Sequence, residues 1–458
     1  MHKDIVIIGG GLTGLTTAHY LKKAGVSVAV IEKENRTGGV IDSHSEKGFL
    51  FESGPNTGVI SWPEVAELFE ELEPDCKHIT ADPEAKRRLI WKGKKWHAIP
   101  SGLIPAITTP LFTLKDKFRV LGEPWRKPGT NPMENLSDFV KRRLGKSFLD
   151  YTVDPFVSGV YAGKTDYLIP KYALPKLYSL EQEYGSFIKG SMAKAKEKKD
   201  NPRLQKATKE VFSAKGGLKN LTKALAKSVG EKDILTGCND TNINRSDKGY
   251  ITKTRCIEKD IEISSDFVIT TTGAYTLPKL LPFINSETLK PITNLQYAKI
   301  VQVILGYKKW KGCDIKAFGG LVPSIEKRKI LGVLFTSSFF KDRAPEDGAL
   351  LSVFMGGTRM PEQFDMHDDE IIEILRKEIP DMMKLDTFNP DMIKIFRYSH
   401  AIAQYGADSK ERFKTIEELE KEYPGLILAG SMRNGIGMAD RIKQASTIAK
   451  SIIIHKNV

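Results

Sequence analysis

Residues 4–39 read DIVIIGGGLTGLTTAHYLKKAGVSVAVIEKENRTGG, and the fold of the chain is decided here. Ile5, Val6, Ile7 and Ile8 form a short apolar run ending in glycine, the pattern of a strand buried on both faces of a parallel sheet. Gly9, Gly10, Gly11, Leu12, Thr13 and Gly14 then make a G-x-G-x-x-G turn. Gly9 turns the chain tightly, Gly11 lets a pyrophosphate approach the backbone, and Gly14 lets the next helix pack close to the strand. The helix N-terminus faces the phosphates. Residues 26–31 predict a second strand, which ends in Glu32 and Lys33. A carboxylate at this distance from the glycines accepts hydrogen bonds from both ribose hydroxyls and disfavours a 2'-phosphate. Strand, turn, helix, strand and acid in register predict a dinucleotide site.

Glu32 is followed at the right spacing by Arg36, Gly38 and Gly39, an E-x-x-x-R-x-G-G pattern. This resembles the second turn of glutathione-reductase-like and amine-oxidase-like flavoproteins, where Arg36, Gly39 and Val40 would lie in a loop covering the cofactor. The resemblance implies FAD.

At 458 residues the chain exceeds one hydrophobic core, and its 40% hydrophobic and 28% charged content is that of an ordinary globular protein. Cys76, Cys238, Cys256 and Cys313 show no C-x-x-C spacing, which predicts reduced thiols in a cytosolic compartment and no metal site. The eight histidines show no ligand spacing, and His97 and His400 read as structural. The net charge of +13 comes with no nucleic-acid motif; much of the excess lies in residues 189–209, which read as a solvated helix and connector. No secretory leader is expected, because the first apolar run breaks at glycines. The longest stretch free of Asp, Glu, Lys and Arg, residues 96–114, is interrupted by Pro100, Pro105 and Pro110. A spanning helix is therefore not expected there, whereas an apolar face against a membrane or partner is compatible with it.

The predicted class is α/β: a Rossmann-type FAD-binding domain, a mixed-sheet α+β substrate domain and an inserted helical domain. Residues 1–75, 208–276 and 405–458 are assigned to FAD binding, 76–96 and 277–404 to the substrate domain, and 97–207 to the helical insert. Within these, residues 62–72 have helical spacing, 87–99 read as a hairpin about Gly93, and helices are expected over 136–144, 148–157 and 177–192. Residues 218–229 carry another helical face, and 250–254 and 266–270 read as strands. Further strands are expected at 299–306, 330–336, 349–354 and 392–397, with a covering helix at 369–379. A last strand at 426–430, a glycine turn and a helix from 438 place a second helix N-terminus by the flavin.

Segments along nearly the whole chain carry a more specific likeness. They include FESGPNT at 51–57, RLIWKGKKWHAIPSGL at 88–103, DPFVSGVYAG at 154–163, LPKLYSLEQEYGSFIKG at 174–190, FGGLVP at 318–323, FMGG at 354–357 and LAGSMRNGIGMAD at 428–440. On these the chain resembles the oxygen-dependent porphyrinogen oxidases of haem synthesis, which oxidise protoporphyrinogen IX or coproporphyrinogen III. The resemblance implies hydride transfer to flavin, O2 as acceptor and release of hydrogen peroxide over three cycles, with no side-chain catalyst required. It places Arg88 at the substrate's propionates, with Gly319, Leu321 and Phe354 against the macrocycle. An arginine fork suits a carboxylate, and the adjacent Arg87 is the alternative. For FAD it implies contacts from Gly54, Pro55, Asn56 and Thr57, the backbone of Asp240 at the adenine, and Ser431, Ile436, Gly437 and Met438 at the flavin. The FAD is expected to be noncovalent, since no cysteine follows Cys313.

The resemblance leaves open the choice between the two porphyrinogens, a homodimer and product handover to a ferrochelatase. It is compatible with a cytoplasmic protein peripheral to the inner face of the cell membrane. Leu103, Ile104, Ile107, Leu111 and Phe112 would form either that contact or a lid on the substrate domain, the lid being preferred. An amine oxidase or carotenoid-type desaturase on the same flavin fold is the competing reading, and a nonenzymatic FAD-binding protein the third.

Overall fold

The computed structural model describes residues 1–101, 103–257 and 259–456. Its first sheet runs in the order Ile234–Leu235, Val28–Ile31, His2–Ile8, Lys259–Thr270, Gly249–Cys256 and Cys238–Ser246. Leu426–Leu428 joins beside the end of Lys259–Thr270. The central pairings are parallel, whereas Gly249–Cys256 and Cys238–Ser246 form an antiparallel ribbon at one edge. Val28–Ile31 and residues 5–8 are buried, as helices on both faces require. The helix Leu12–Lys23 packs against Met438–Lys456 and Lys219–Val229. Asp233, itself buried, ties Lys3 and Lys22 to one another at 2.6 Å each, pinning the first strand to that helix.

The second sheet has the order Met392–Ala403, Tyr297–Tyr307, Ala349–Gly356, Gly332–Leu334, Gly319–Leu321, Arg88–Lys92 and Lys95–Ala98. Residues paired across a ladder share a face. One face carries Trp91, Val301, Val303, Val333, Leu351 and Val353 and is covered by the helix Asp368–Met383. The opposite face carries Arg88, Ile90, Leu321, Phe354 and Gln302. It looks toward the hairpin Asp42–Glu46 and Phe49–Ser53 and toward the helices between residues 103 and 205.

Several elements differ from expectation for identifiable reasons. The helix expected over 177–192 breaks into Pro175–Tyr184 and Phe187–Asp200, because Gly185 takes a left-handed φ of 69° and Ser186 caps the next helix. The helix expected over 148–157 contains a π-turn at Leu149–Val153. The strand Asp42–Glu46 and the helix Ser409–Glu422 carry too many polar residues to announce themselves, and the strand Val211–Ala214 is only four residues long.

The cysteine expectation is corrected. Cys238 and Cys256 stand opposite one another in the edge ribbon, their Cα atoms 4.1 Å apart, and form a disulfide, while Cys76 and Cys313 are free. Strand register brings the two sulfurs together, and spacing along the chain does not reveal register. With two of the four cysteines joined, the thiols no longer point to a reducing compartment. No helix among the described residues is long and apolar enough to cross a membrane.

Candidate functional site

Gly9 has φ 106°, and a Cβ on Gly14 would sit 2.0 Å from the Gly9 carbonyl oxygen, so both positions exclude a side chain. The helix Leu12–Lys23 begins at Gly11 with no side-chain cap and no acid in its first turn. Its first N–H groups are left for an anion. Glu32 is buried: one carboxylate oxygen accepts the Gly10 N–H at 2.7 Å and the other the Glu34 N–H at 2.9 Å. Lys33 next to it is exposed. Glycine backbone, free helix N-terminus and oriented carboxylate fit the pyrophosphate and ribose of a dinucleotide.

The second turn docks on the first. Gly38 N–H donates to the Gly10 carbonyl at 2.8 Å, and a Cβ on Gly39 would lie 3.3 Å from the Gly11 Cα. Arg36 shapes this turn by donating to the carbonyls of Gly39 at 2.8 Å and Ile41 at 3.1 Å. Burial pushes the Asp42 carboxyl up, but Lys219 and Arg36 outweigh it and hold Asp42 below the usual carboxylate range. Val40 is 59% exposed, and its carbonyl fills the space a Cβ on Gly54 would need.

Residues 54–57 are held from the second sheet. The buried Gln302 accepts the Gly54 N–H at 2.9 Å and donates to the Glu52 carbonyl and the Ser352 hydroxyl, both at 3.1 Å. Asn56 is buried, with Pro55 and Thr57 partly so. At the other end of the chain, Tyr405 donates to the Ser431 carbonyl at 2.9 Å. Arg441 donates to the carbonyls of Arg433 and Gly435 at 2.8 Å, and Gln444 accepts the Gly430 N–H at 2.9 Å. Asp440 receives Gly437 N–H at 3.3 Å and the Trp62 indole at 2.9 Å. Met438 shares a core with Leu12, Leu15 and Ile41, and Ile436 packs at the edge of another. The glycine turn, the 36–40 turn and the 431–438 loop thus meet around one core, with residues 54–57 on the 36–40 turn.

Asp240 lies apart from this group. It is exposed, has φ 53°, pairs with Lys279 at 2.8 Å and sits in a bulge between Asn239 and Asn242. The residue of that strand touching Glu32 is Cys238, whose N–H donates to the Glu32 carbonyl at 3.0 Å. Gln302, Tyr405, Arg441 and Gln444 escape sequence reasoning. Only Gln302, a lone amide in the apolar run YAKIVQVILGY, leaves a visible signal.

In the second sheet, Arg88 pairs with Gly319, and Leu321, Gly332, Phe354 and Gln302 lie in one row across four strands. Arg87 is spent elsewhere, donating to the Lys316 carbonyl at 2.7 Å and pairing with Asp314 at 3.2 Å. Arg88 lies over the Phe318 ring at 5.8 Å, and among the described residues no carboxylate is within ion-pair reach of it. Leu321 packs on the helical segment: a Cβ on Gly159 would meet it at 2.4 Å, and Ile90, Leu111 and Phe112 share its cluster. Asp154 accepts the Ser324 N–H at 2.7 Å and Tyr151 donates to Glu326 at 3.2 Å, fastening those helices to the second sheet. His97 contacts its own hairpin's Lys92 carbonyl, and His400 stacks on Tyr275. No group of metal-binding side chains occurs among the described residues.

The chain is similar to known proteins end to end. The mitochondrial protoporphyrinogen oxidase of Nicotiana tabacum is 29% identical over 98% of this chain and 95% of its own. The coproporphyrinogen III oxidase of Bacillus subtilis (strain 168) is 24% identical over 99% and 98%. A solved structure from Exiguobacterium sp. 255-15, 23% identical, superposes with a TM-score of 0.81 over 99% of both chains and shows the same fold. The family described as flavin containing amine oxidoreductase matches residues 12–453, and the chain belongs to that family.

Proposed function

We propose that this protein is an FAD-dependent porphyrinogen oxidase that aromatises protoporphyrinogen IX or coproporphyrinogen III, with O2 as acceptor and hydrogen peroxide as co-product. FAD, when bound, supplies the hydride acceptor and the centre that reacts with O2. The protein's own residues position and enclose. Glu32 and residues 9–14 would hold the ribose and pyrophosphate, and residues 54–57 and 431–438 the flavin. The FAD is noncovalent in this reading, because the 431–438 loop carries no cysteine.

One observation carries the substrate class: Arg88, with no carboxylate in ion-pair reach among the described residues, shares a sheet face with Ile90, Leu321 and Phe354, and Gln302 on that face grips the 54–57 turn. A flat apolar ring system with carboxylate arms fits such a face. Leu111 and Phe112, both buried, pack with Ile90 and Leu321 on that face. The oxidation draws its driving force from substrate and cofactor, so the protein's task is orientation and not proton abstraction by a dedicated base. Purified protein loaded with FAD should generate porphyrin fluorescence and peroxide from at least one of the two porphyrinogens in air. Turnover of amines with neither porphyrinogen oxidised would establish the amine oxidase reading instead.

Peripheral contact with an anionic membrane is part of the proposal. Ile104, Ile107, Leu114, Phe118, Leu121 and Trp125 are each at least 66% exposed, and Lys115 and Lys127 lie beside them in the chain. Leu111 and Phe112 point the other way and are buried, so this segment combines a lid residue set with an outward apolar face; the side chain of Leu103 lies outside the described residues. Handover of product to a ferrochelatase fits a poorly soluble product, and assembly as a homodimer is proposed with it.

A further inference from the structure

The backbone of Glu32 is clasped by the segment that leads into the edge ribbon. Glu32 N–H donates to the Leu235 carbonyl at 2.8 Å, Cys238 N–H to the Glu32 carbonyl at 3.0 Å, and Gly237 N–H to the Glu34 carbonyl at 2.9 Å. That segment is irregular by itself, with Gly237 at φ 66° and a bulge centred on Asp240 immediately after Cys238. The disulfide to Cys256 fastens it, and Cys256 in turn is laddered to Lys259 in the central strand. Cys256 is the last residue of its strand and is followed by the exposed Ile257, so the pair, itself buried, lies at the very end of the ribbon. Thr241 and Thr254, whose hydroxyls lie 2.7 Å apart, hold the ribbon together one step inward whether or not the sulfurs are joined.

We propose that Cys238 and Cys256 form a thiol–disulfide switch that sets how tightly the protein grips the adenosine end of FAD, with peroxide as the oxidant. The proposal rests on the reading of Glu32 as the ribose ligand and on peroxide as the co-product. One thiolate attacks the O–O bond, giving a sulfenic acid and water; the second thiol displaces the hydroxyl as water. Two thiols and one hydrogen peroxide yield one disulfide and two waters. Accumulating product thereby locks the cofactor in, and a reducing pool loosens it.

Binding and bond formation are reciprocal, which gives a test that needs no turnover. The full chain, with and without FAD, is equilibrated in glutathione buffers of stepped ratio, and the thiols are counted by alkylation and mass spectrometry. FAD affinity is measured on the disulfide form, on the thiol form and on Cys256→Ser. The disulfide form should bind FAD about tenfold tighter. FAD should then shift the thiol–disulfide equilibrium by the same factor, about 30 mV for a two-electron couple. Peroxide should join Cys238 to Cys256 and leave Cys76 and Cys313 as thiols. Equal FAD affinity in the two forms, or a pair that stays reduced in oxidising buffer and peroxide, overturns the proposal. Inactivity toward porphyrinogens leaves these readings intact, so the two failures are distinguishable.

Discussion

Arg87 and Arg88 are neighbours with opposite surroundings, since strand alternation sends one to Asp314 and the Lys316 carbonyl and the other to the face shared with Leu321. Arg88→Ala should lower kcat/KM for a porphyrinogen about tenfold or more, chiefly through KM, because a charge-assisted hydrogen bond contributes roughly 1.5–3 kcal/mol. Arg87→Ala should leave KM unchanged; steady-state kinetics on both variants separates them. Gln302 invites a second substitution. Gln302→Leu strands the Gly54 N–H and the Glu52 carbonyl in a buried place, which should cost about 2 kcal/mol and weaken FAD binding, read by thermal melting and flavin fluorescence titration. Arg88 is legible in sequence through its resemblance segment. Gln302 stands out in sequence only as a lone amide in an apolar run; its role does not, because it comes from a strand meeting a turn about 250 positions away.

At the scale of elements, the strand His2–Ile8 and the helix Leu12–Lys23 are joined by Asp233 as well as by their own packing. Burial raises the Asp233 carboxyl, but Lys22 and Lys3 prevail and its value falls below the ordinary range. A lowered folded pKa gives stability that is present above the unfolded value of about 4 and is lost as pH falls through the folded value. Asp233→Asn should therefore cost about 1–2 kcal/mol at neutral pH, discounted for the partly exposed lysines, and converge with the parent as pH falls through the lowered folded value in acid-denaturation curves. The helix Leu114–Leu121 makes a different forecast. Trp125 just beyond it should show blue-shifted emission on anionic vesicles and little change on neutral ones, and Phe118→Asp should abolish the shift without altering turnover of dispersed substrate. A shift that survives Phe118→Asp would locate the contact elsewhere. The βαβ unit and this segment's apolar content are plain in sequence, because local periodicity writes them. The break at Gly185 and the disulfide are not, because one depends on a backbone angle and the other on register.

At the scale of the molecule, segments far apart in sequence share one site. The first sheet takes strands from both ends and the middle of the chain, and the second takes its hairpin from residues 88–98 and the rest from beyond 297. The α/β class and the family were readable because glycine turns and apolar strands are local signals, and they recur here in the right order. The closure of the second sheet over residues 54–57 was not readable, since it depends on the buried amide of Gln302 and on helices docking through Asp154 and Tyr151. Substrate and flavin must meet at that sheet face for the central claim to hold. An anaerobic mixing experiment addresses it most directly: FAD-loaded protein is mixed with protoporphyrinogen IX or coproporphyrinogen III, and the visible flavin absorbance is followed. The account predicts bleaching by at least one porphyrinogen and recovery on admitting O2 with peroxide formed. Flavin that stays oxidised with both porphyrinogens would contradict it.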